Sequence, residues 1–172
     1  MTQIPTLTTE RLTLRAPELS DFDAYAAFSA SDRAKGIGGP YTRSQAFGRL
    51  CEVAGHWQLR GYGRWVIADT ATNTPQGIVG LMFPLDWPEP EIAWSVFASA
   101  EGKGYAFEAA LASRDYAYQV LGWDSVISCV MPDNPRSAAL AVRLGATHES
   151  QFDHPLLGEL HIYRHPNREV LQ

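Results

Sequence analysis

Two glycines separated by one residue, Gly102 and Gly104, lie within the segment SAEGKGYAFEAA, which runs from Ser99 to Ala110. Glycine has no Cβ and adopts positive φ at little cost, so the chain can pass close to a ligand at these positions. The alanine-rich residues that follow predict a helix, whose first N–H groups and positive dipole end attract an anion. The segment therefore predicts a phosphate-binding loop, with backbone donors from Gly102 to Ala106.

Two widespread phosphate-binding patterns do not match this loop. A P-loop places its Lys directly after the last glycine and before a Ser or Thr, whereas Lys103 lies between the two glycines. A dinucleotide-binding loop needs a third glycine where Phe107 stands, so that the helix can pack closely on the strand. Asp124 follows Gly104 at the distance of a ribose-binding acid, but it precedes the next predicted strand and does not end it. A nucleotide-binding protein is therefore the weaker alternative.

The elements around the loop predict a mixed fold of helices and strands. Periodic apolar residues indicate the order β, α, α, three successive strands, and then α, β, α, β, β. Strands joined by short turns form an antiparallel meander, whereas the strand–helix–strand unit from Glu91 to Met131 must be a right-handed parallel crossover. We expect an α/β protein (α+β in some schemes) with a mixed, mostly antiparallel sheet of six to seven strands and helices on both faces. The loop then lies at the carboxyl end of a strand, where such sheets bind ligands.

Length and composition limit the possible functions. A chain of 172 residues is the size of one domain, which we place at residues 1–172. The formal net charge of −5, without a run of Lys or Arg, disfavours nucleic acid and anionic membranes as partners and suits a cationic amine. Cys51 and Cys129 are far apart, which excludes a disulfide framework and a thiolate zinc site, and we expect no metal. The N-terminal residues lack a signal-peptide pattern and no stretch is as long as a membrane span, so we expect a cytoplasmic protein.

Three segments carry a resemblance to a known family. The loop resembles the coenzyme A signature of the GCN5-related N-acetyltransferase (GNAT) superfamily, in which Arg or Gln precedes a Gly-x-Gly or Gly-x-Ala pair. GKGYAFEAA is similar to the GKGYAxEA segment of its RimJ/RimL-like branch. TERLTLRAPELSDFDAYAAF resembles the family's opening strand and first helix, and DNPRSAALAVRLGA resembles its Asn-x-x-Ser helix. These motifs follow the family's order across residues 8–165.

The resemblance implies a GNAT fold and an enzyme that transfers an acetyl group from acetyl-CoA to a primary amine, within a ternary complex. The amine would belong to a small molecule or to a peptide N-terminus, and a homodimer is one assembly that the family allows. The expected cofactor-binding residues are Val96, Ala98, Glu101, Gly102, Lys103, Gly104, Tyr105, Ala106 and Asn134.

The resemblance also implies catalytic roles for two side chains. The tyrosine that often protonates the thiolate in this family is replaced by Ala141, and the branch uses the Ser of Asn-x-x-Ser, here Ser137. Glu91 would act as the general base through a water molecule. Asn134 would hold the pantetheine amide. Each residue also has a structural explanation: Asn134 and Ser137 could satisfy the helix start, and Glu91 could be a solvated hairpin carboxylate.

The chain departs from the family at the signature's first position. Depending on which glycine is counted first, the expected Arg or Gln is replaced by Ser99 or by Glu101, and a carboxylate at residue 101 would lower coenzyme A affinity unless a nearby cation offset it. A catalytically degenerate domain that only binds or senses acyl-CoA is therefore the alternative function. Trp87 and the loop from Lys35 to Tyr41 are expected to border the acceptor site.

Overall fold

The computed structural model describes residues 3–171 and contains one eight-stranded sheet in the order β1-β2-β3-β4-β5-β6-β8-β7. Within these described residues, only β5 and β6 pair in parallel, and all other neighbouring strands are antiparallel. The strands are β1 (Leu7–Thr8), β2 (Leu12–Arg15), β3 (Arg64–Asp69), β4 (Pro75–Met82), β5 (Glu91–Val96), β6 (Ile127–Val130), β7 (Thr147–His154) and β8 (Gly158–Arg164).

Four α-helices connect these strands, and their ends follow from local sequence. They are α1 (Phe22–Ser29), α2 (Arg43–Arg60), α3 (Tyr105–Gln119) and α4 (Pro135–Arg143). Thr42 and Gln45 form a reciprocal capping box at the start of α2. Gly61 ends this helix in the left-handed conformation that glycine favours. A 3-10 helix at Asp32–Ile37 lies between α1 and α2.

The predicted architecture is confirmed, with one additional strand. The sheet is mixed and mostly antiparallel, and the parallel pair lies in the predicted crossover between Glu91 and Met131. The eighth strand is the two-residue β1, which pairs with β2 through Leu7 and Leu14. Two residues are too few for an alternating pattern, so tertiary pairing alone defines this strand.

The two faces of the sheet have separate hydrophobic clusters. Along β3, Trp65 and Ile67 pack toward α3, whereas Val66 packs toward α1 and α2, because successive side chains of a strand point to opposite faces. Trp57 of α2 meets Trp65 edge-to-face at a ring distance of 4.9 Å. Both faces of the sheet are therefore covered by helices.

The sheet opens between β5 and β6. These strands share a single register pair, Glu91 with Ile127. Beyond that pair, side chains replace the missing ladder: the Ser128 hydroxyl donates to the Ile92 carbonyl at 2.7 Å, and the Cys129 N–H donates to the Glu91 carboxylate at 2.7 Å. The strands diverge after Glu91 and leave a gap in the middle of the sheet.

Close backbone packing holds β5 in place beside this gap. A Cβ at Gly77 of β4 would lie 2.3 Å from the Ser95 carbonyl oxygen of β5, so Gly77→Ala should lower the free energy of unfolding by about 1–3 kcal/mol. As a control, Gly48→Ala in α2 has open space around its new methyl group and should raise it by about 0.5–1 kcal/mol. Urea unfolding of both variants tests this, and equal stabilities would contradict the close contact.

Candidate active site

A cleft of about 520 Å³ lies between the glycine loop, the start of α4 and the 3-10 helix Asp32–Ile37. Eight of the predicted site residues line it: Val96, Glu101, Gly102, Gly104, Tyr105, Ala106, Asn134 and Ser137. Ala98 and Lys103 do not line it. The Lys103 ammonium lies over the Tyr105 ring, 5.7 Å from its centroid. The structure thus brings most of the predicted cofactor residues to one cleft.

The glycine loop has the backbone geometry of an anion-binding loop. Gly102 and Gly104 have φ of 74° and 76°, a region in which any other residue is strained. A Cβ at Gly102 would meet no atom within 4 Å, so the loop is open on that side. Gly104 is the N-cap of α3 and provides no side-chain cap, so the N–H groups of the first helical turn have no acceptor in the helix. These N–H groups can therefore bind a phosphate.

Two arginines neutralise the carboxylate that departs from the family signature. Glu101 forms ion pairs with Arg33, from the 3-10 helix, and with Arg136, from the first turn of α4. The Arg33 Nε also donates to the Val96 carbonyl at 3.3 Å. Both guanidinium groups border the cleft. Sequence reasoning missed these two residues, because no spacing pattern links positions 33, 101 and 136.

A second cavity, of about 110 Å³, lies on the other side of the β5–β6 gap. It contains the predicted base Glu91 and also Trp87, as expected for an acceptor site. The cavity and the cleft share six lining residues: Gly36, Ile37, Trp94, Ser95, Asn134 and Ser137. The two spaces therefore adjoin each other along these residues, and Ser137 and Asn134 lie in their shared wall.

Glu91 is buried, with 4% of its surface exposed. Its carboxylate accepts hydrogen bonds from the Trp87 indole N–H at 2.9 Å and from the Cys129 N–H at 2.7 Å. Burial raises the pKa of Glu91 from 4.5 to about 7, because the charged form loses water, while the two hydrogen bonds and Arg64 act in the opposite direction. A carboxyl group with this pKa can accept and release a proton near neutral pH.

Asn134 and Ser137 occupy the first turn of α4, where the two spaces meet. Asn134 caps the helix, since its Oδ1 accepts the Ser137 N–H at 3.2 Å, and its side-chain nitrogen remains a donor beside the cleft. The Ser137 hydroxyl accepts a weak hydrogen bond from the Trp94 indole N–H at 3.3 Å. The capping role of Asn134 is therefore present, and it leaves the amide NH₂ free to bind a ligand.

The backbone of β5 contributes donors to the gap. The carbonyls of Ile92 and Val96 accept bonds from Ser128 and Arg33, on the side away from β4. Alternate residues of an antiparallel strand direct both N–H and C=O to the same side. Trp94 lies between them with the same parity, so its N–H also faces the gap.

The remaining polar candidates have structural partners. His165 is buried and bonded to the Ser128 hydroxyl at 2.9 Å, and burial lowers its pKa to about 3. His161 lies beside Glu159 on β8. No group of three potential metal ligands occurs within residues 3–171. In the same part of the chain, no helix is long and apolar enough to cross a membrane.

Comparisons with known proteins identify the family to which these features belong. Residues 11–147 match the family described as "Acetyltransferase (GNAT) domain". An acetyltransferase from Agrobacterium tumefaciens str. C58 is 39% identical over 95% of both chains, with a TM-score of 0.87.

Two less similar structures share the fold. A GNAT-family acetyltransferase from Bacillus anthracis is 21% identical over 93% of this chain and 97% of its own, with a TM-score of 0.78. RimL, a ribosomal L7/L12 alpha-N-protein acetyltransferase, is 16% identical over 94% of both chains, with a TM-score of 0.76. The predicted resemblance to the GNAT superfamily is confirmed, and RimL is among its structural neighbours.

The buried Glu91 makes stability depend on pH. Because its folded-state pKa of about 7 exceeds the ordinary 4.5, the folded protein keeps a proton that the unfolded chain releases between these values. As the pH rises from 4.5 to 7, Glu91 should therefore lower the free energy of unfolding by up to roughly 3 kcal/mol, while the buried His165, whose pKa is lowered to about 3, acts in the opposite direction.

Glu91→Gln should remove the Glu91 contribution, so that raising the pH destabilises the variant less than wild type, whereas Glu10→Gln, at an exposed position, should keep the wild-type pH dependence. Urea unfolding at pH 5 and pH 8 measures the effect. The same pH slope in wild type and in Glu91→Gln would contradict the assignment.

Proposed function

The chain belongs to the GNAT acetyltransferase family, and we propose that it transfers an acetyl group from acetyl-CoA to a primary amine. The transfer would occur by direct attack within a ternary complex. The observation that carries this proposal is the shared wall of the two spaces, which includes Ser137 and Asn134, with a glycine loop suited to phosphate in one space and a buried carboxyl group in the other.

The cleft residues are suited to coenzyme A. The N–H groups of Gly102, Gly104 and the first turn of α3 would bind the pyrophosphate, with Arg33 and Arg136 adding positive charge. The free amide NH₂ of Asn134 would donate to the pantetheine. Acetyl-CoA would supply an activated acyl group as a thioester. Val96, Tyr105 and Ala106 line the path between these contacts.

The residues at the junction would carry out the proton transfers. Glu91 would remove a proton from the ammonium group through a water molecule, because only the neutral amine has a lone pair for attack. The N–H of Trp94 would stabilise the charge that develops on the acyl oxygen. Attack of the amine forms the C–N bond, and the C–S bond breaks as the acyl carbonyl reforms. Ser137 would give its proton to the departing thiolate and regain one from the proton that the acylated nitrogen loses, so the products are an amide and a free thiol.

A binding domain without turnover is the alternative, since Ala141 is fully buried where family members often have a catalytic tyrosine. Thiol release with a broad amine panel separates the two functions. Release above the rate of acetyl-CoA hydrolysis supports the enzyme. Coenzyme A binding without amine-dependent release would support the binding domain.

We further propose a single catalytic domain over residues 1–172 that works in the cytoplasm on a small amine or a peptide N-terminus. The neighbouring ribosomal-protein acetyltransferases support an amine acceptor. The free and exposed Cys51 thiol is consistent with a reducing compartment. A homodimer is compatible with these features, and neither a metal nor a nucleic acid is part of the proposed reaction.

The glycine loop provides a direct test of coenzyme A binding. Gly104→Glu adds strain at positive φ and a negative charge beside the proposed pyrophosphate, and it should weaken coenzyme A binding at least about tenfold by calorimetry. Gly122→Glu is the matched control, because Gly122 has φ of 73° and open surroundings just beyond the other end of α3. Equal affinities in the two variants would remove the cofactor site from this loop.

The hydroxyl of Ser137 should matter for turnover more than for binding. Ser137→Ala should lower kcat roughly 10- to 1000-fold and leave the coenzyme A dissociation constant nearly unchanged. Ser137→Thr keeps a hydroxyl and should recover part of the rate. Steady-state thiol release and calorimetry supply the two measurements. A parallel loss of rate and affinity in Ser137→Ala would assign the residue a structural role.

A further inference from the structure

The charges in the acceptor cavity differ from those of the whole chain. Its charged lining residues are Arg49 of α2, Arg64 of β3 and Glu91 of β5. The protein has a net charge of −5, but this cavity has two cations against one carboxyl group. A cationic amine without other charges would therefore meet an unfavourable local potential.

Within residues 3–171, the guanidinium groups of Arg49 and Arg64 form no ion pair with a carboxylate, although Glu91 and Glu52 act on Arg64 electrostatically from a greater distance. Arg49 lies over the Tyr41 ring, 4.4 Å from its centroid, and its Nε is buried without an acceptor. Arg64 forms no side-chain hydrogen bond or ion pair within the same residues, and burial lowers its pKa. Glu52, one turn after Arg49 in α2, is exposed and forms no ion pair with either group.

Two other partly buried arginines are paired with carboxylates, whereas the buried Arg114 donates to the Leu144 carbonyl and lies beside His165. Arg15 forms a two-point bond with Asp21 at 2.8 and 2.9 Å. Arg164 forms ion pairs with both Glu89 and Glu149. A guanidinium group that is partly removed from water is usually paired with an anion. Arg49 and Arg64, which are both half-buried, therefore leave unpaired cationic charge at the wall of the cavity.

The position of the arginines relative to Glu91 indicates what kind of molecule could carry an anionic group into this cavity. Glu91 and Arg64 interact electrostatically within the cavity. One small molecule can therefore direct its amine to Glu91 and Ser137 and its anionic group to the arginines. The other walls are mostly apolar, with side chains that include Ile78, Met82, Trp87, Leu157 and Leu160.

We propose that the acceptor is a small primary amine that also carries an oxyanion, a carboxylate or phosphate, bound by Arg49 and Arg64. This inference rests on the proposed acetyl transfer and names its substrate class. Guanidinium groups bind both oxyanions through paired hydrogen bonds. A peptide N-terminus lacks the α-carboxylate and is disfavoured.

Matched amines test the anion requirement. Thiol release is measured with L-leucine, L-leucinamide and 3-methylbutylamine, and with O-phosphoethanolamine against ethanolamine. The anionic member of at least one set should have a kcat/KM roughly 10- to 100-fold above its neutral counterparts. The leucine set reports a carboxylate and the ethanolamine set a phosphate. Equal or better turnover of leucinamide, which represents a peptide N-terminus, would overturn the inference and leave acetyl transfer intact.

Variants test whether the arginines provide the selectivity. Arg49→Gln and Arg64→Gln should each abolish most of the preference for the anionic amine, whereas the conservative Arg64→Lys should keep part of it. Arg60→Gln, at an exposed position of α2, is the control and should keep the wild-type preference. Full selectivity in Arg49→Gln and Arg64→Gln would assign the anion to another site. Arg64→Gln removes a half-buried charge that forms no ion pair within residues 3–171, so folding should not limit the comparison.

A binding measurement separates this inference from the proposed function. With coenzyme A present, the anionic amine should raise the Tm of wild type by a few degrees and leave the Tm of Arg64→Gln unchanged, because it binds only the intact cavity. This shift without thiol release would support the anion site and contradict acetyl transfer. The inference would be overturned if the anionic amine produced no Tm shift and the enzyme showed no preference for anionic amines.

Discussion

The divergence of β5 from β6 is the constraint on which the site depends. The strands pair only at Glu91 and Ile127, so the backbone groups beyond this point need other partners. Glu91 and Ser128 supply them from their side chains, and the opposite sides of the gap become a cleft and a cavity. A fully paired ladder would close this opening, and the two spaces would not meet.

The same constraint explains why Glu91 both stabilises the strand pair and has a pKa suited to proton transfer near neutral pH. A carboxylate that accepts the Cys129 N–H is held in a fixed position, and burial among apolar groups raises its pKa to about 7. Desolvation outweighs the hydrogen bonds, so the pKa of Glu91 lies near neutral pH and above that of an exposed glutamate. The structural and catalytic explanations of this residue are therefore compatible, because one contact supports both.

The charges around the glycine loop and the smaller cavity differ from the net charge of the protein. Glu101 brings a negative charge to a loop that is suited to phosphate, and Arg33 and Arg136 offset it from two other elements. In the smaller cavity, which we propose binds the acceptor, Arg49 and Arg64 are cationic groups within an acidic protein. Net charge describes the outer surface and the long-range field, whereas recognition in a cavity depends on the few groups that face it.

The sequence by itself determined the fold class, the order of the elements and the glycine loop. Periodicity, caps and positive-φ glycines are local properties, so Gly102, Gly104, Asn134 and the crossover from Glu91 to Met131 could be predicted from neighbouring residues. Only the tertiary structure decided which distant side chains meet. The pairing of Glu101 with Arg33 and Arg136, the burial of Glu91, and the joint position of Arg49 and Arg64 depend on strand divergence and helix packing. Contacts between residues far apart in the chain leave no periodic signal in one sequence.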